Sequence, residues 1–375
     1  MKKTFLATLG AGLIALGANA SAQDYPTRAI SMVVPYAAGG STDGLARIVA
    51  QAMGENLGQT VVVENLGGGG TMIGNQRVTR AAPDGYTITF GNMGSLAIAP
   101  SLYPKSKFDP RRDMSAVGLV ATVPMVLSVS KKSGIATLPE FVARLKKNGA
   151  DVNFGNAGSG STSHIAAAYF MHVTHTQGMQ IPYRGAGPAI ADLMAGTVDA
   201  VIDQTVTMIP IHEGKRVTAL AVASAARLPQ IPDVPTFAEA GVPDFNMSVW
   251  NGIAAPAGTP PAVVARLEQA LAAALKSPGV RESLDKLAAQ APAEQEQGGG
   301  RFPGAHRPGC PAVCRPDQTG EHHGELSGGR VAIRDGRDPD FRYQDSHGQA
   351  YEARWPAPAR VATPASSARS SGDRY

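Results

Sequence analysis

The stretch Ala29-Ile30-Ser31-Met32-Val33-Val34-Pro35-Tyr36-Ala37-Ala38-Gly39-Gly40-Ser41-Thr42-Asp43-Gly44 decides the fold of this chain. Ala29–Pro35 is a short apolar run of the kind carried by a strand buried on both faces. A glycine pair follows. From Ser41 to Gly54 the residues Leu45, Ile48, Val49, Ala52 and Met53 then recur at helical spacing. Thr60–Glu64 supplies a second strand, and the Gly67–Gly70 run opens a second helix that carries the chain to Ala81. After an Asp84-Gly85 turn, Tyr86–Gly91 supplies a third strand. This alternation predicts parallel strands covered by helices.

The same order is written again downstream. Val117–Val129 contains two strand-like runs around Pro124. Leu138–Asn148 is read as a helix, Val152–Gly155 as a strand, Ser161–Val173 as a helix and Gln180–Pro182 as a strand. A helix at Pro188–Ala195 and strands at Ala200–Asp203 and Val217–Ala223 complete the unit. Gly252–Pro256 and the helix Pro261–Lys276 return to the first unit. The expected organisation is a first lobe over 23–125, a second over 126–248 and a return segment over 249–300. Two α/β lobes joined by more than one crossing segment make a hinged molecule with a cleft.

Composition bounds what such a chain can be. It has 375 residues, 43% hydrophobic and 17% charged, and a formal net charge of +4. That is enough for about two domains with real cores, and too apolar for disorder throughout. Two cysteines exclude a disulfide framework. The one long apolar run is N-terminal and shorter than the ~20 residues a membrane span needs. From Gln23 to Gly300, 21 Lys and Arg balance 21 Asp and Glu. Nucleic acid is therefore not an expected partner.

Residues 1–22 read as an export signal. Lys2 and Lys3 precede the small, apolar run Thr4–Gly17, and Ala18-Asn19-Ala20 and Ala20-Ser21-Ala22 both fit a small-x-small cleavage site. The expected location of the mature chain is the periplasm.

Two segments carry the chemistry. Tyr36, Ala37, Ala38, Gly39, Gly40, Ser41, Thr42 and Asp43 follow a strand and open a helix in one lobe. Asn156, Ala157, Gly158, Ser159, Gly160, Ser161, Thr162, Ser163 and His164 do the same in the other. Glycine allows a tight turn and a close approach to a ligand. Ser and Thr at a helix start sit beside unpaired amide donors, where the positive end of the helix dipole also lies. Two such ends facing one cleft can hold a carboxylate without an arginine. The bland alternative is a pair of ordinary, well-capped turns. There is no G-x-x-x-x-G-K-[ST] motif and no G-x-G-x-x-G motif after the first strand. Ser159 and Ser161 lack a nucleophile-elbow frame, and His164 lies in the same loop as both. His172 and His175 have no carboxylate or thiol at metal-ligand spacing. No metal, cofactor or catalytic residue is expected.

The segments YPTRAISMVVPYAAGGSTDGLAR, VVVENLGGGGTMIGNQRV, ADVNFGNAGSGSTSHIAAAYF, IPYRGAGPAIADLMAGTVDAVID, LPQIPDVPTFAEAG and WNGIAAPAGTPPAVVARL occur in that order. Together they resemble the Bug-type extracytoplasmic solute receptors of tripartite tricarboxylate transporters, from about Gln23 to Ala291. The resemblance implies a two-lobed, type II periplasmic binding-protein fold with the ligand in the cleft. It implies a small carboxylate gripped mainly by main-chain amides of the two loops, and membrane permease subunits as partners. It also points to the segment around Asp203 as a place where ligands are sorted. An aspartate there can pair with an amino group, accept from a hydroxyl, or merely cap a turn. Arg184 either faces the cleft or braces the lobes, with bracing favoured, and Trp250 is expected to belong to the hinge and core. The working mode is a monomer that closes on its ligand and then docks. The alternatives are a secreted α/β enzyme acting on a carboxylated substrate and a sensor that hands its ligand to a signalling partner.

From Arg301 the composition changes. The last 75 residues hold 11 Arg and no Lys, both cysteines (Cys310 and Cys314) and half of the histidines. Val313, Leu326, Val331, Ile333 and Val361 are their whole complement of Ile, Leu, Val and Met. This predicts an aberrant stretch without regular structure over 301–375. The resemblance implies instead an amphipathic helix packed on the first lobe. A reading frame lost near the glycine run Gly298–Gly300 reconciles the two, and sequencing the gene through that run tests it. A zinc site from Cys310, Cys314, His322 and His323 is the rival reading, on poor spacing.

Overall fold

Along β1 (Ile30–Val34) successive side chains leave the strand on opposite sides. In a computed structural model of the protein, Ile30, Met32 and Val34 enter one apolar cluster and Val33 another. The structure describes residues 25–293 and the segments 324–326, 329–333, 340–345 and 350–354. The signal at 1–22 and the cysteines lie outside the described residues.

From β1 the chain runs through α1 (Ser41–Leu57), β2 (Val61–Asn65), α2 (Met72–Thr79) and β3 (Thr87–Asn92). A π-helical turn (Gly94–Ile98) and two short helices, α3 (Ala99–Leu102) and α4 (Pro110–Asp113), lead to β4 (Met114–Ser130). The second lobe contains α5 (Leu138–Asn148), β5 (Asn153–Asn156), α6 (Thr162–Val173), β6 (Met179–Pro182) and α7 (Ala186–Ala195). It ends with β7 (Ala200–Gln204), α8 (Thr205–Glu213) and β8 (Val217–Val222). Then β9 (Ser248–Pro256), α9 (Pro261–Lys276) and α10 (Pro278–Lys286) follow.

Strand β1 pairs in parallel with β2 and β3, and β5 in parallel with β6 and β7. The joining strands are antiparallel, so each lobe's sheet is mixed rather than purely parallel. The order is β2-β1-β3-β9-β4-β7-β5-β6, with β8 also on β4. The two strand-like runs around Pro124 are one strand, β4. Its first part pairs with β9 as far as Pro124–Ser248, and from Met125 onward it pairs with β7 and β8. A proline has no N–H for a ladder, so it fits where one set of partners ends and the next begins.

Each lobe's sheet has a core on both faces. Residues Leu45, Val49, Ile88, Leu267 and Leu271 lie on one side of the first sheet, with Phe108, Trp250 and Ala254 on the other. In the second lobe Met125, Leu127 and Val129 face a cluster containing Phe141, Phe154, Phe170, Phe237 and Phe245. Val126 and Val201 face the other side, against Leu193 and Met208. The return segment closes the hinge by an antiparallel bridge between Gln290 and Thr122. No described helix is long and apolar enough to cross a membrane.

Within 301–375, expected to lack regular structure, the described residues form antiparallel strands: β10 (Gly324–Leu326), β11 (Gly329–Ile333), β12 (Asp340–Asp345) and β13 (Ala350–Arg354). Their signal is period-two alternation, Val331 with Ile333 and Phe341 with Tyr343, joined by Tyr351. Counting only aliphatic residues passes over the aromatic half of that pattern.

Candidate functional site

Both glycine loops start at the carboxyl end of a strand and end at the start of a helix. After β1, Gly39 turns with φ 83° and Gly40 stands extended before α1, with no side-chain cap. The positive φ at Gly39 is one that L side chains rarely adopt. The Gly39 amide donates to Asp43 Oδ2 at 3.0 Å, and Asp43 Oδ1 accepts from Asn65 and from Arg47, each at 3.0 Å. Burial alone would raise the Asp43 carboxyl, but these bonds together outweigh it and hold its pKa below the ordinary value. Asp43 is thus committed to shaping its own loop. Among the described residues the amides of Ser41, Thr42 and Asp43 donate to no protein acceptor.

After β5, Gly158 (φ 108°) and Gly160 (φ 83°) make the second turn. Ser161 caps α6 by accepting from the His164 amide at 3.2 Å. Asn156 Oδ1 accepts from the Gly158 amide at 2.9 Å, and its Nδ2 donates to Gln180 at 3.1 Å. Asn156 therefore positions this loop as Asp43 does the first. His164 lies in the first turn of α6, and its Nδ1 accepts from the Gly160 amide at 3.4 Å. Burial pushes that imidazole down to about 4, so it is neutral at pH 7. Ser159 is exposed, and its carbonyl accepts from the Tyr103 hydroxyl of the other lobe at 3.3 Å. The amides of Thr162 and Ser163 donate to no protein acceptor among the described residues.

The fold brings the two loops to one seam. A Cβ placed on Gly94 would lie 2.9 Å from the Thr162 nitrogen and 3.0 Å from the Tyr36 hydroxyl, so Gly94 is the contact point between the loops. Tyr36 donates to Asn92 Oδ1 at 2.9 Å, and Asn92 donates to Thr42 Oγ1 at 3.1 Å. Both Asn92 and Tyr36 are buried, and burial pushes the Tyr36 phenol well above its usual value. Asp203 joins from β7. Its Oδ2 accepts from the Ser41 hydroxyl at 3.0 Å and from Thr207 at 2.8 Å. Burial raises the pKa of this carboxyl against the lowering effect of those hydroxyls.

The lobes are closed on one another. The Ala37 amide donates to the Arg184 carbonyl at 3.0 Å. Arg184 thus braces the lobes through its backbone, while its side chain is exposed. Trp250 lies in β9 and is buried in the first-lobe core, close to the hinge. Among the described residues no group of three His, Cys, Asp or Glu side chains comes together as a metal site.

Residue types alone did not single out Asn92, Gly94, Gly187 and Thr207. A signal existed for the first two. β3 ends at Asn92, and ligands of open α/β sheets bind beyond the carboxyl ends of strands. Gly187 and Thr207 stand in the first turns of α7 and α8, Gly187 against the Ala38 carbonyl and Thr207 beside Ser41, and their approach to the first lobe is set only by closure.

Two mixed sheets, two crossing strands and a seam lined by loops from both lobes define a solute-binding protein of the periplasmic type. The chain belongs to the tripartite tricarboxylate transporter receptor family, whose pattern matches residues 45–304. It is 35% identical to the protein BugT of Bordetella pertussis over 84% of this chain and 89% of that one. A UPF0065 protein of Agrobacterium vitis is 40% identical over 72% of this chain and 78% of its own. Among solved structures, periplasmic binding protein BugD superposes with a TM-score of 0.70 at 38% identity, covering 73% of this chain and 91% of that one. MatC of Rhodopseudomonas palustris with bound malate gives a TM-score of 0.70 at 35% identity, over 73% and 94% of the two chains. A second R. palustris protein, with adipate, gives 0.67 at 33%, over 72% and 90%.

Proposed function

We propose that this protein is a periplasmic receptor that captures a small carboxylate between its lobes and delivers it to the membrane permease of a tripartite transporter. One observation carries the reading: the starts of α1 and α6, each with amides that lack a protein acceptor, converge from different lobes on one seam. Anions are stabilised at such helix starts by about 0.3–1 kcal/mol each, up to ~2 kcal/mol when partly buried. The malate and adipate of the two R. palustris neighbours are ligands of this chemistry. In this reading Ser41, Thr42, Ser161 and Thr162 offer donors, while Gly39, Gly40, Gly158 and Gly160 allow the close approach. Tyr36, Asn156, Asp43 and His164 hold the loops in shape. Asp203 faces the ligand or the closed seam from the second lobe. The cycle needs no covalent step. An open form binds the acid on one lobe, closure adds the second loop, and the ligand's preference for the closed form supplies the driving force.

A thermal-shift series of the mature chain against mono-, di- and tricarboxylates tests this. A true ligand raises the melting temperature by mass action. A panel that leaves it unmoved at saturating concentrations rejects the carboxylate reading.

A further inference from the structure

A second polar pocket lies on the first lobe, bordered by Gln76, Arg80, Ser106, Lys107, Phe108 and Arg112. It is remote from the seam. Asn251 of β9 stands beside Asn92, whereas Ala257, at the pocket rim, is six residues further along. At ~3.3 Å per residue the two sites are roughly 20 Å apart.

Its three cations are not equivalent. Arg112 is spent on Asp113, with Nε to Oδ1 at 2.7 Å and Nη2 to Oδ2 at 2.9 Å. Its Nη2 also donates to the Lys107 carbonyl at 2.7 Å. The side chains of Arg80 and Lys107 have no carboxylate or hydrogen-bond partner among the described residues. Lys107 is held at φ 56°, a conformation a lysine adopts only where its surroundings impose it. Those surroundings are visible. Ser106 Oγ accepts from the Phe108 amide at 3.3 Å, Asp113 Oδ2 accepts from the Asp109 amide at 2.8 Å, and Arg112 fixes the Lys107 carbonyl. A rigid loop therefore presents one unpaired ammonium beside one unpaired guanidinium. The carboxyl end of α2 opposes an anion here, but α2 has only eight residues and Arg80 caps it.

We propose that this pocket binds a phosphate group. Two unpaired cations match a dianion better than the single charge of a monocarboxylate. The guanidinium fork, the ammonium, Gln76 and Ser106 together offer donors enough for three oxygens. Both free inorganic phosphate and the phosphomonoester headgroup of phosphatidic acid present that group.

The test uses the full chain, an Arg80→Gln/Lys107→Gln double variant and a Lys146→Gln/Lys147→Gln control that loses the same charge from the exposed last turn of α5 in the other lobe. Equilibrium dialysis with radiolabelled inorganic phosphate at low ionic strength forms one arm. Co-sedimentation with vesicles of phosphatidic acid in phosphatidylcholine forms the other. Saturable one-to-one phosphate binding that weakens at least tenfold in the Arg80/Lys107 variant alone supports free phosphate as the source. Vesicle binding lost in that variant alone, without saturable binding of free phosphate, supports the headgroup. Saturable binding in neither arm, or equal losses in both variants, overturns the proposal. Unchanged melting curves for both variants exclude loss of fold as the cause.

Discussion

Ser41 and Asp203 belong to different lobes, yet the Ser41 hydroxyl donates to Asp203 Oδ2 at 3.0 Å in a buried contact. A hydrogen bond contributes a net ~0.5–1.5 kcal/mol. Thr207 still serves Asp203 when Ser41 is removed, so Ser41→Ala is expected to cost the lower half of that range. Because the bond exists only between closed lobes, its loss should appear in ligand affinity, as a roughly two- to fivefold weaker Kd. Calorimetric titration of the variant and the parent with a carboxylate that raises the melting temperature in the thermal-shift series reads this directly. Asp203→Asn adds a sign. The folded carboxyl has a raised pKa, so its contribution to stability is present at low pH and is lost as pH rises through that value. The variant should therefore gain on the parent in urea unfolding as pH rises above the ordinary carboxylate pKa of about 3.9. An advantage that shrinks as pH rises contradicts the assignment.

Closure also rests on a glycine in the first turn of α7 that packs against the loop opening α1. A Cβ on Gly187 would strike the Ala38 carbonyl oxygen and lie 3.2 Å from the Gly39 carbonyl carbon. That clash crosses the seam, so opening relieves it without disturbing either core. Within α7, alanine is the better residue by ~1 kcal/mol. Gly187→Ala is thus expected to leave the unliganded protein as stable as before or slightly more so, and to weaken at least tenfold the binding of whichever carboxylate the thermal-shift series identifies. Solution scattering should show a larger radius of gyration for the variant. Unchanged affinity together with unchanged dimensions would mean that the seam does not close as the structure shows it.

The βαβ order in both lobes was legible because strand and helix periods differ and the glycine turns fall between them. Tyr36–Asp43 and Asn156–His164 were legible for the same reason. Other features were not. The junction within β4 was masked by Pro124, which looks like a break until β9, β7 and β8 are in place. Helix α8 contains Thr205, Val206, Thr207 and Pro210, all poor helix formers, and forms because Val206 and Met208 are buried. The roles of Asp43 and Asn156 depend on which partner each side chain reaches, and residue type does not fix that.

Phe170 is fully buried between Phe141, Phe154, Phe237 and Phe245, with ring centroids 5.9–6.5 Å away. Truncating a buried phenylalanine costs about 3–5 kcal/mol, because the cavity collapses only in part. Phe170→Ala should destabilise the protein by that amount in urea unfolding. It lies on the helix that Ser161 caps, so looser anchoring of α6 should also blunt the ligand-induced thermal shift. A loss below ~1 kcal/mol would show that the cluster repacks around the gap.

His164 provides the clearest pH dependence. Its Nδ1 accepts from the Gly160 amide, which requires an unprotonated nitrogen, and burial holds its pKa at about 4. In the unfolded chain an imidazole titrates near 6.5. Between those values the unfolded state takes up a proton that the folded state refuses, so stability falls as pH is lowered from 7 toward 4. Integrated over that interval, the loss is at most about 3 kcal/mol. In His164→Asn the amide oxygen can still accept from Gly160, but nothing at that position titrates. The variant should keep most of its stability at pH 7 and lose less than the parent on acidification. Urea midpoints at pH 7, 5.5 and 4.5 decide it. Parallel decline in both proteins would assign the acid sensitivity elsewhere and leave His164 a charged, solvated residue.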